Sequence, residues 1–314
     1  MRAMMGGHFT KFLLENEGLL SAAYEGAADQ LDLVSQTGTV WSTTPGTVCQ
    51  ASNASYLAAA LANDHVVAVV ADAGLAGMQD RYVAKPIIFS DEPEQLFLKA
   101  HLARLHDGNE FPGFSPGCSE KADISDSAVL TGPLAIADGV RIGPNATVIG
   151  PAIIGEGVTI EANAVVGATG LYAKSINGRL VNMPHFGGVR IDAGAAILSG
   201  AVVVKSAYFG SVTSIGSEAH IGVQTNIGHD VVVGPRTRIS SNVVISGRTR
   251  IGADCWIGAS VSVANGLCIE DGASVKIGSV VIADVAREQT VSGNFALDHR
   301  RNLLRHARAL RDRQ

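Results

Sequence analysis

His229 is followed by Asp230, and two steps of eighteen residues forward from the histidine reach Gly247 and then Asn265. Those residue types support one kind of chemistry. An imidazole, with a reference pKa of about 6.5, takes a proton from an amine or hydroxyl at neutral pH, and a backbone N–H about 3 Å from a developing oxyanion stabilises a tetrahedral intermediate. Base plus donor suffices for acyl transfer from a thioester when the acceptor itself attacks, so no serine or cysteine nucleophile is required. From spacing alone the same histidine also reads as an ordinary surface group.

The step of eighteen has a structural meaning. Aliphatic residues recur every six positions from Ile124 through Val166, and again, in a second phase, from Ile191 through Val281, with Phe209 the one aromatic anchor. Neither a helix of period 3.6 nor a strand of period 2 keeps one phase at six, whereas short strands joined by tight turns and wound into a solenoid do. The fold expected is mainly β: a left-handed parallel β-helix with three hexads per triangular coil. Twenty-four anchors then make eight coils, about 40 Å tall at the ordinary strand spacing. His229 stands two places after Ile227, outward near a turn, with Gly247 and Asn265 stacked above it.

Composition fits this reading: 36 glycines for the turns, 46% apolar residues for a continuous core, and 5% aromatics, as expected of a narrow interior. A formal charge of -5 argues against nucleic acid as the main partner. With no transmembrane-length apolar run and no signal-peptide pattern, the expected location is cytoplasmic. Cys49, Cys118, Cys255 and Cys268 lack metal-ligand spacing and read as free thiols.

Residues 1–115 break the period and read as a small α/β domain. Strand candidates are Val66 to Val70 and Pro86 to Phe89, and a helix is expected from about Glu92 to Leu105 with Asp91 and Glu94 as a capping box. Phe111 to Cys118 reads as a linker, with the solenoid, 116–290, starting near Ala122. Between Val166 and Ile191 the phase slips by one residue, so a loop over 170–188 must leave the column, and such excursions are where solenoids place binding groups. Residues 291–314 leave the repeat and suggest a basic amphipathic helix.

Ile227-Gly-His-Asp-Val-Val-Val-Gly234 resembles the I-[GA]-H-[ND]-x-x-[IV]-G signature of hexapeptide acyltransferases. Within that group the layout is similar to the N-acyltransferases of lipid A synthesis that act on UDP-3-O-acylglucosamine. Gly170-Leu-Tyr172-Ala resembles their G-[FY]-G-Y-A loop start, Met183-Pro-His-Phe-Gly187 their I-P-Q-I-G, and Val291-Ser-Gly-Asn-Phe-Ala296 their S-G-x-P-A exit. The resemblance implies a homotrimer with its site between subunits, a nucleotide-binding first domain, and acyl carrier protein as donor. His229 would be the general base and the Gly247 N–H the oxyanion donor. Asp230, Gln224, His220, Tyr172 and Asn265 are candidate substrate contacts, and Arg300, Arg301 and Arg305 candidate donor contacts. No bound cofactor is expected; acyl carrier protein or acyl-coenzyme A serves as co-substrate.

The chain departs from that pattern at Lys205-Ser206-Ala207, where the family has Asp-Arg-Gly, at Gly222-Val223 ahead of Gln224, and at Leu267, where it has a second histidine. The catalytic centre is kept while the acceptor wall is rewritten. His220 and His185 read first as solvated surface groups, Tyr172 equally as an acceptor contact and as an anchor for its loop, and Tyr82, Phe89 and Phe97 as core rather than base-stacking rings. The arginine-rich tail suits an acidic carrier protein or the phosphates of coenzyme A. Alternatives are an acetyl-coenzyme A-dependent sugar acetyltransferase and a non-catalytic scaffold. A zinc enzyme of the γ-carbonic anhydrase type would need its His-x4-His spacing within the solenoid, where it is absent.

Overall fold

A computed structural model describes residues 8–20, 28–76, 85–106, 110–293 and 298–311. The aliphatic period becomes three parallel sheets wrapped around one interior. One stacks strands anchored on Cys118, Ile136, Ile154, Ile191, Ile215, Val233, Ile251 and Ile269; the second runs from Ile124 to Val291 and the third from Leu130 to Val281. They hold eight, nine and eight strands, so the eight coils are present and the fold is mainly β, a left-handed parallel β-helix. Anchors such as Ile160, Ile197, Ile221, Ile227 and Ile245 are fully buried. Burial of each contributes about 1.5–3 kcal/mol before the entropy of ordering is set against it.

Each corner needs one residue in left-handed conformation, three places after the anchor. From residue 218 to 260 that place is taken every six residues by non-glycine side chains, Asp230 (φ 60°) and Arg248 (φ 63°) among them. Short polar Asn and Asp tolerate the region, and stacking on the coils above and below holds the rest there.

Two segments leave the column. The expected loop is a hairpin of Ala173–Ile176 and Arg179–Asn182, antiparallel, after which the chain rejoins at Gly188–Ile191. The second was not expected. Phe209 keeps the six-residue spacing, yet Ile227 pairs with Val203 and not with Phe209, so residues 205–211 form an excursion in place of a strand. The Phe209 ring lies outside the core, stacked on His106 at 4.5 Å and edge-on to Phe111 at 5.5 Å. A ring of that size has no place in a stack of Ile and Val.

The first region is a four-stranded parallel sheet, β1 (Gln36–Gly38), β2 (Thr47–Ala51), β3 (Val66–Asp72) and β4 (Ile87–Ser90), in that order. Preceding it is α1 (His8–Glu15); α2 (Ala54–Ala62) links β2 to β3, and α3 (Pro93–Leu102) follows β4. The sequence reading missed β1, β2 and both earlier helices. The capping box does not form: Glu92 is the N-cap without a side-chain bond, Pro93 opens α3, and the Glu92 N–H donates instead to Ser90 Oγ. Phe89 and Phe97 are core residues, while Tyr82 lies outside the described residues.

Helix α3 docks on both excursions. Phe97 and Leu98 pack with Ile176, Met183, Ala207 and Tyr208. His101, 2% exposed, accepts from Thr37 Oγ1 at Nδ1 (2.7 Å) and donates from Nε2 to the Pro184 carbonyl (2.9 Å). Burial is the main cause of its pKa falling to about 4, so it stays neutral in the folded protein.

The solenoid starts at Gly117–Cys118, and the terminal helix α4 spans His299–Arg311. No described helix is long and apolar enough to cross a membrane.

Candidate active site

Strand register sets the site. Val203 pairs with Ile227, Ile227 with Ile245, and Ile245 with Val263, so Lys205, His229, Gly247 and Asn265 lie one above another at the same corner. Neither glycine there leaves room for a side chain unless a neighbour moves. A methyl on Gly228 would lie 2.6 Å from the Gly247 nitrogen, and one on Gly247 would lie 2.6 Å from His229 Nε2.

His229 Nδ1 is 2.7 Å from Asp230 Oδ2. An ionised carboxylate only accepts, so Nδ1 carries the proton and Nε2 presents its lone pair beside Gly247. The Gly247 N–H has no acceptor among the described residues. Its carbonyl is held by Asn265 Nδ2 (2.6 Å) and by the Gly266 N–H (3.0 Å).

Asp230 was expected at the substrate, but both its oxygens are committed inside the protein: Oδ2 to His229, and Oδ1 to a short hydrogen bond from Ser206 Oγ–H. Its backbone N–H donates to Thr213 Oγ1 at 2.9 Å. Burial pushes its carboxyl up, but the bonds from His229 and Ser206, with the nearby Arg248 charge, outweigh burial and keep it below the usual carboxylate range.

The first excursion brings its rings to the imidazole. Tyr172 stacks on His229 (5.8 Å between centroids, 26° between planes), and His185 stands edge-on to it at 5.6 Å. The His185 Nδ1 lies 3.3 Å from the Met183 carbonyl while its buried Nε2 has no partner among the described residues. Burial, and then the neighbouring His229, lower its pKa. The Tyr172 hydroxyl is 3.3 Å from that of buried Tyr208, and the Arg248 guanidinium sits 6.0 Å from the Tyr172 ring centre. Lys205, one coil below His229, is half-buried, and burial lowers its pKa.

Beyond Tyr172 a cavity of about 200 Å³ opens between the first region and the column. Trp41, Tyr56, Gln50, Lys174, Tyr208 and Arg248 are among its lining residues. Trp41 is 65% exposed and meets Tyr56 edge to face at 5.3 Å. Lys174 is paired with Glu94 at 2.6 Å.

Of the expected substrate residues, Tyr172 and Asn265 join His229 and Gly247. Gln224 and His220 do not: Gln224 is exposed at the preceding corner and His220 is exposed on the second sheet, paired with Ala196 and Arg238. Arg300 and Arg301 are exposed on α4, and the side chain of Arg305 lies outside the described residues. So do Asn294, Phe295 and Ala296 of the exit motif. The sequence reading missed Ser206, Thr213, Tyr208, Lys205 and Arg248 as parts of the site. For Arg248 the signal was present, since it stands eighteen residues after Asp230; the same count backwards reaches Ser211 and Val212, so Lys205 and Ser206 emerge only from the observed pairing of Val203 with Ile227. Among the described residues no three His, Cys, Asp or Glu side chains are grouped to hold a metal ion.

Residues 135–168 match the family described as bacterial transferase hexapeptide (six repeats). Among solved structures the chain is similar to a UDP-N-acetylglucosamine acyltransferase, at 22% identity over 61% of this chain and 77% of the other, with a TM-score of 0.46. It is also similar to the UDP-N-acetylglucosamine acyltransferase of Francisella novicida (24% identity, 60% and 71% covered, TM-score 0.41). For the acetyltransferase domain of PglB from Neisseria gonorrhoeae the figures are 16% identity, 67% and 69% covered, and a TM-score of 0.23. No curated protein matches in sequence.

Proposed function

We propose that this chain is an acyltransferase that moves an acyl group from a thioester, carried on acyl carrier protein, to the amine of a nucleotide-linked amino sugar. One observation carries the reading: the bare Nε2 of His229 faces a glycine whose N–H has no acceptor among the described residues. The amine attacks the thioester carbonyl while Nε2 takes its proton, and the oxyanion forms against the Gly247 N–H. The C–S bond then breaks, the imidazolium returns a proton to the departing sulfur, and an amide and a free thiol remain. Asp230 holds the ring and offsets the charge of the imidazolium.

The cavity beyond Tyr172 supports a nucleotide-linked acceptor. Its exposed Trp41 and Tyr56 suit a planar base, and Lys174 and Arg248 suit a diphosphate. Tyr172 stands between that cavity and the imidazole, so the sugar end would displace or slide past its ring to reach Nε2. A second protomer in a trimer would close the open wall and exclude water, and the arginines of α4, Arg300 and Arg301 among them, would meet the acidic carrier.

Thiol release from acyl carrier protein and from coenzyme A thioesters, each with a panel of nucleotide amino sugars, tests the reading. Release that requires both substrates and falls at least ~10²-fold in His229→Ala supports it. Release with coenzyme A thioesters alone replaces the donor. No release with either donor across the panel, or full turnover in His229→Ala, overturns the mechanism. Mixing His229→Ala with an N-terminally truncated subunit tests the trimer: restored activity places the site between protomers, and no complementation at any ratio refutes a shared site.

A further inference from the structure

Ser206 stands in the column directly beneath Asp230, because Val203 pairs with Ile227 and both residues follow their anchors by three. In an unbroken eighteen-residue coil that place would fall to Val212; the 205–211 excursion puts a hydroxyl there instead. The hydroxyl is fully buried, and its single proton has two acceptors in reach. Asp230 Oδ1 is close and charged, while the Tyr208 carbonyl is 3.5 Å away, so the proton goes to the carboxylate.

The backbone around Ser206 is fixed from both sides. Its N–H donates to the Gly188 carbonyl (3.1 Å) and its carbonyl accepts from the Gly187 N–H (3.0 Å), on the chain returning from the first excursion. A methyl on Gly187 would lie 2.5 Å from the Ser206 Cβ, so the two segments meet without spare room. A hydroxyl held this firmly fixes the carboxylate it touches.

We infer that Ser206 is a positioning residue for the base: its Oγ–H holds Asp230 in the one orientation that keeps His229 protonated at Nδ1 with Nε2 turned to Gly247. Without it, Oδ1 loses its donor and the carboxylate turns to seek another. The imidazole then samples the Nε2–H tautomer, which cannot accept a proton where the acceptor attacks. The inference rests on the acyl-transfer reading for its kinetic consequence, but not for the tautomer, which exists in the resting protein.

The test is Ser206→Ala, Asp230→Asn and the double variant, followed by turnover and by the ¹⁵N chemical shifts of the His229 ring. Ser206→Ala is expected to lower kcat about 10-fold with the acceptor KM within about twofold, and to shift the ring nitrogens toward the Nε2–H form. In the Asp230→Asn background the same change should cost less than about twofold, since Ser206 acts only through Asp230. Unchanged nitrogen shifts in Ser206→Ala, or the same 10-fold loss in both backgrounds, overturns the inference. If Ser206→Ala does not fold, Ser206→Cys, a weaker donor at the same place, is read by the same shifts with an intermediate result expected. A wild-type protein without acyl transfer sinks the previous reading alone; the ring nitrogens still decide this one.

Discussion

The coils above Ile215 and the coils around Val203 are built on the same hexad and differ in one respect. The upper coils run without interruption to Val281, each corner eighteen residues from the one stacked above it, while the lower ones are broken twice, by the hairpin and by residues 205–211. The upper stretch provides spacing: it puts the Gly247 N–H opposite His229. The broken stretch provides side chains: Tyr172, His185, Ser206 and Tyr208 all come from it, and α3 docks on it. The dyad sits on the first coil after the breaks, where regular backbone meets irregular side chains.

The comparison can be broken by substitutions on either side of it. The largest effect is expected in the regular stack: Ile245→Ala leaves a hole in a core where nothing can collapse inward, and chemical denaturation should show a loss of about 2–5 kcal/mol. A smaller loss than that of an exposed site would mean the stack is not the source of stability.

Acid acts next, at the junction of α3 with the first excursion. His101 is neutral when folded, with a pKa of about 4 against the reference 6.5, so below pH 6.5 the unfolded chain binds the extra proton and stability falls as pH drops toward 4. The full effect is about 3 kcal/mol, seen as a lower unfolding midpoint at pH 4.5 than at pH 7, and His101→Gln should lessen that drop.

On the catalytic side, Gly247→Ala drives a methyl against His229 Nε2 and should cut turnover about 10-fold or more while the melting temperature moves little. The smallest effect belongs to the outer part of the hairpin. Leu180 is 79% exposed, and Leu180→Ala should change stability by less than about 0.5 kcal/mol and leave turnover as it was.

How far the sequence is legible follows from the same contrast. Ile227, Ile245 and their neighbours could be read because a narrow interior must be refilled at every sixth residue, and that constraint writes itself in residue type. Phe209 met the spacing without meeting the volume, and an aliphatic period alone does not tell a coil from an excursion of one hexad. His229 and Gly247 were found together because counting by eighteen holds in an unbroken stretch. Ser206 was hidden by the misplaced hexad: with Phe209 taken for the anchor, the residue beneath Asp230 was Val212. Trp41 and Tyr56 lie on a region with no period at all, where only the folded sheet brings them to the cavity.

The facing of His229 and Gly247 rests on chain counting more than on any contact between them. Deleting one residue anywhere between Ile227 and Ile245 would carry the glycine out of line, whereas the hairpin turn at Asn177 and Gly178 can lengthen or shorten without disturbing the stack. Length variation in descendants of this chain should therefore collect at the hairpin and be purged from the segment above the histidine, even where individual letters there change freely.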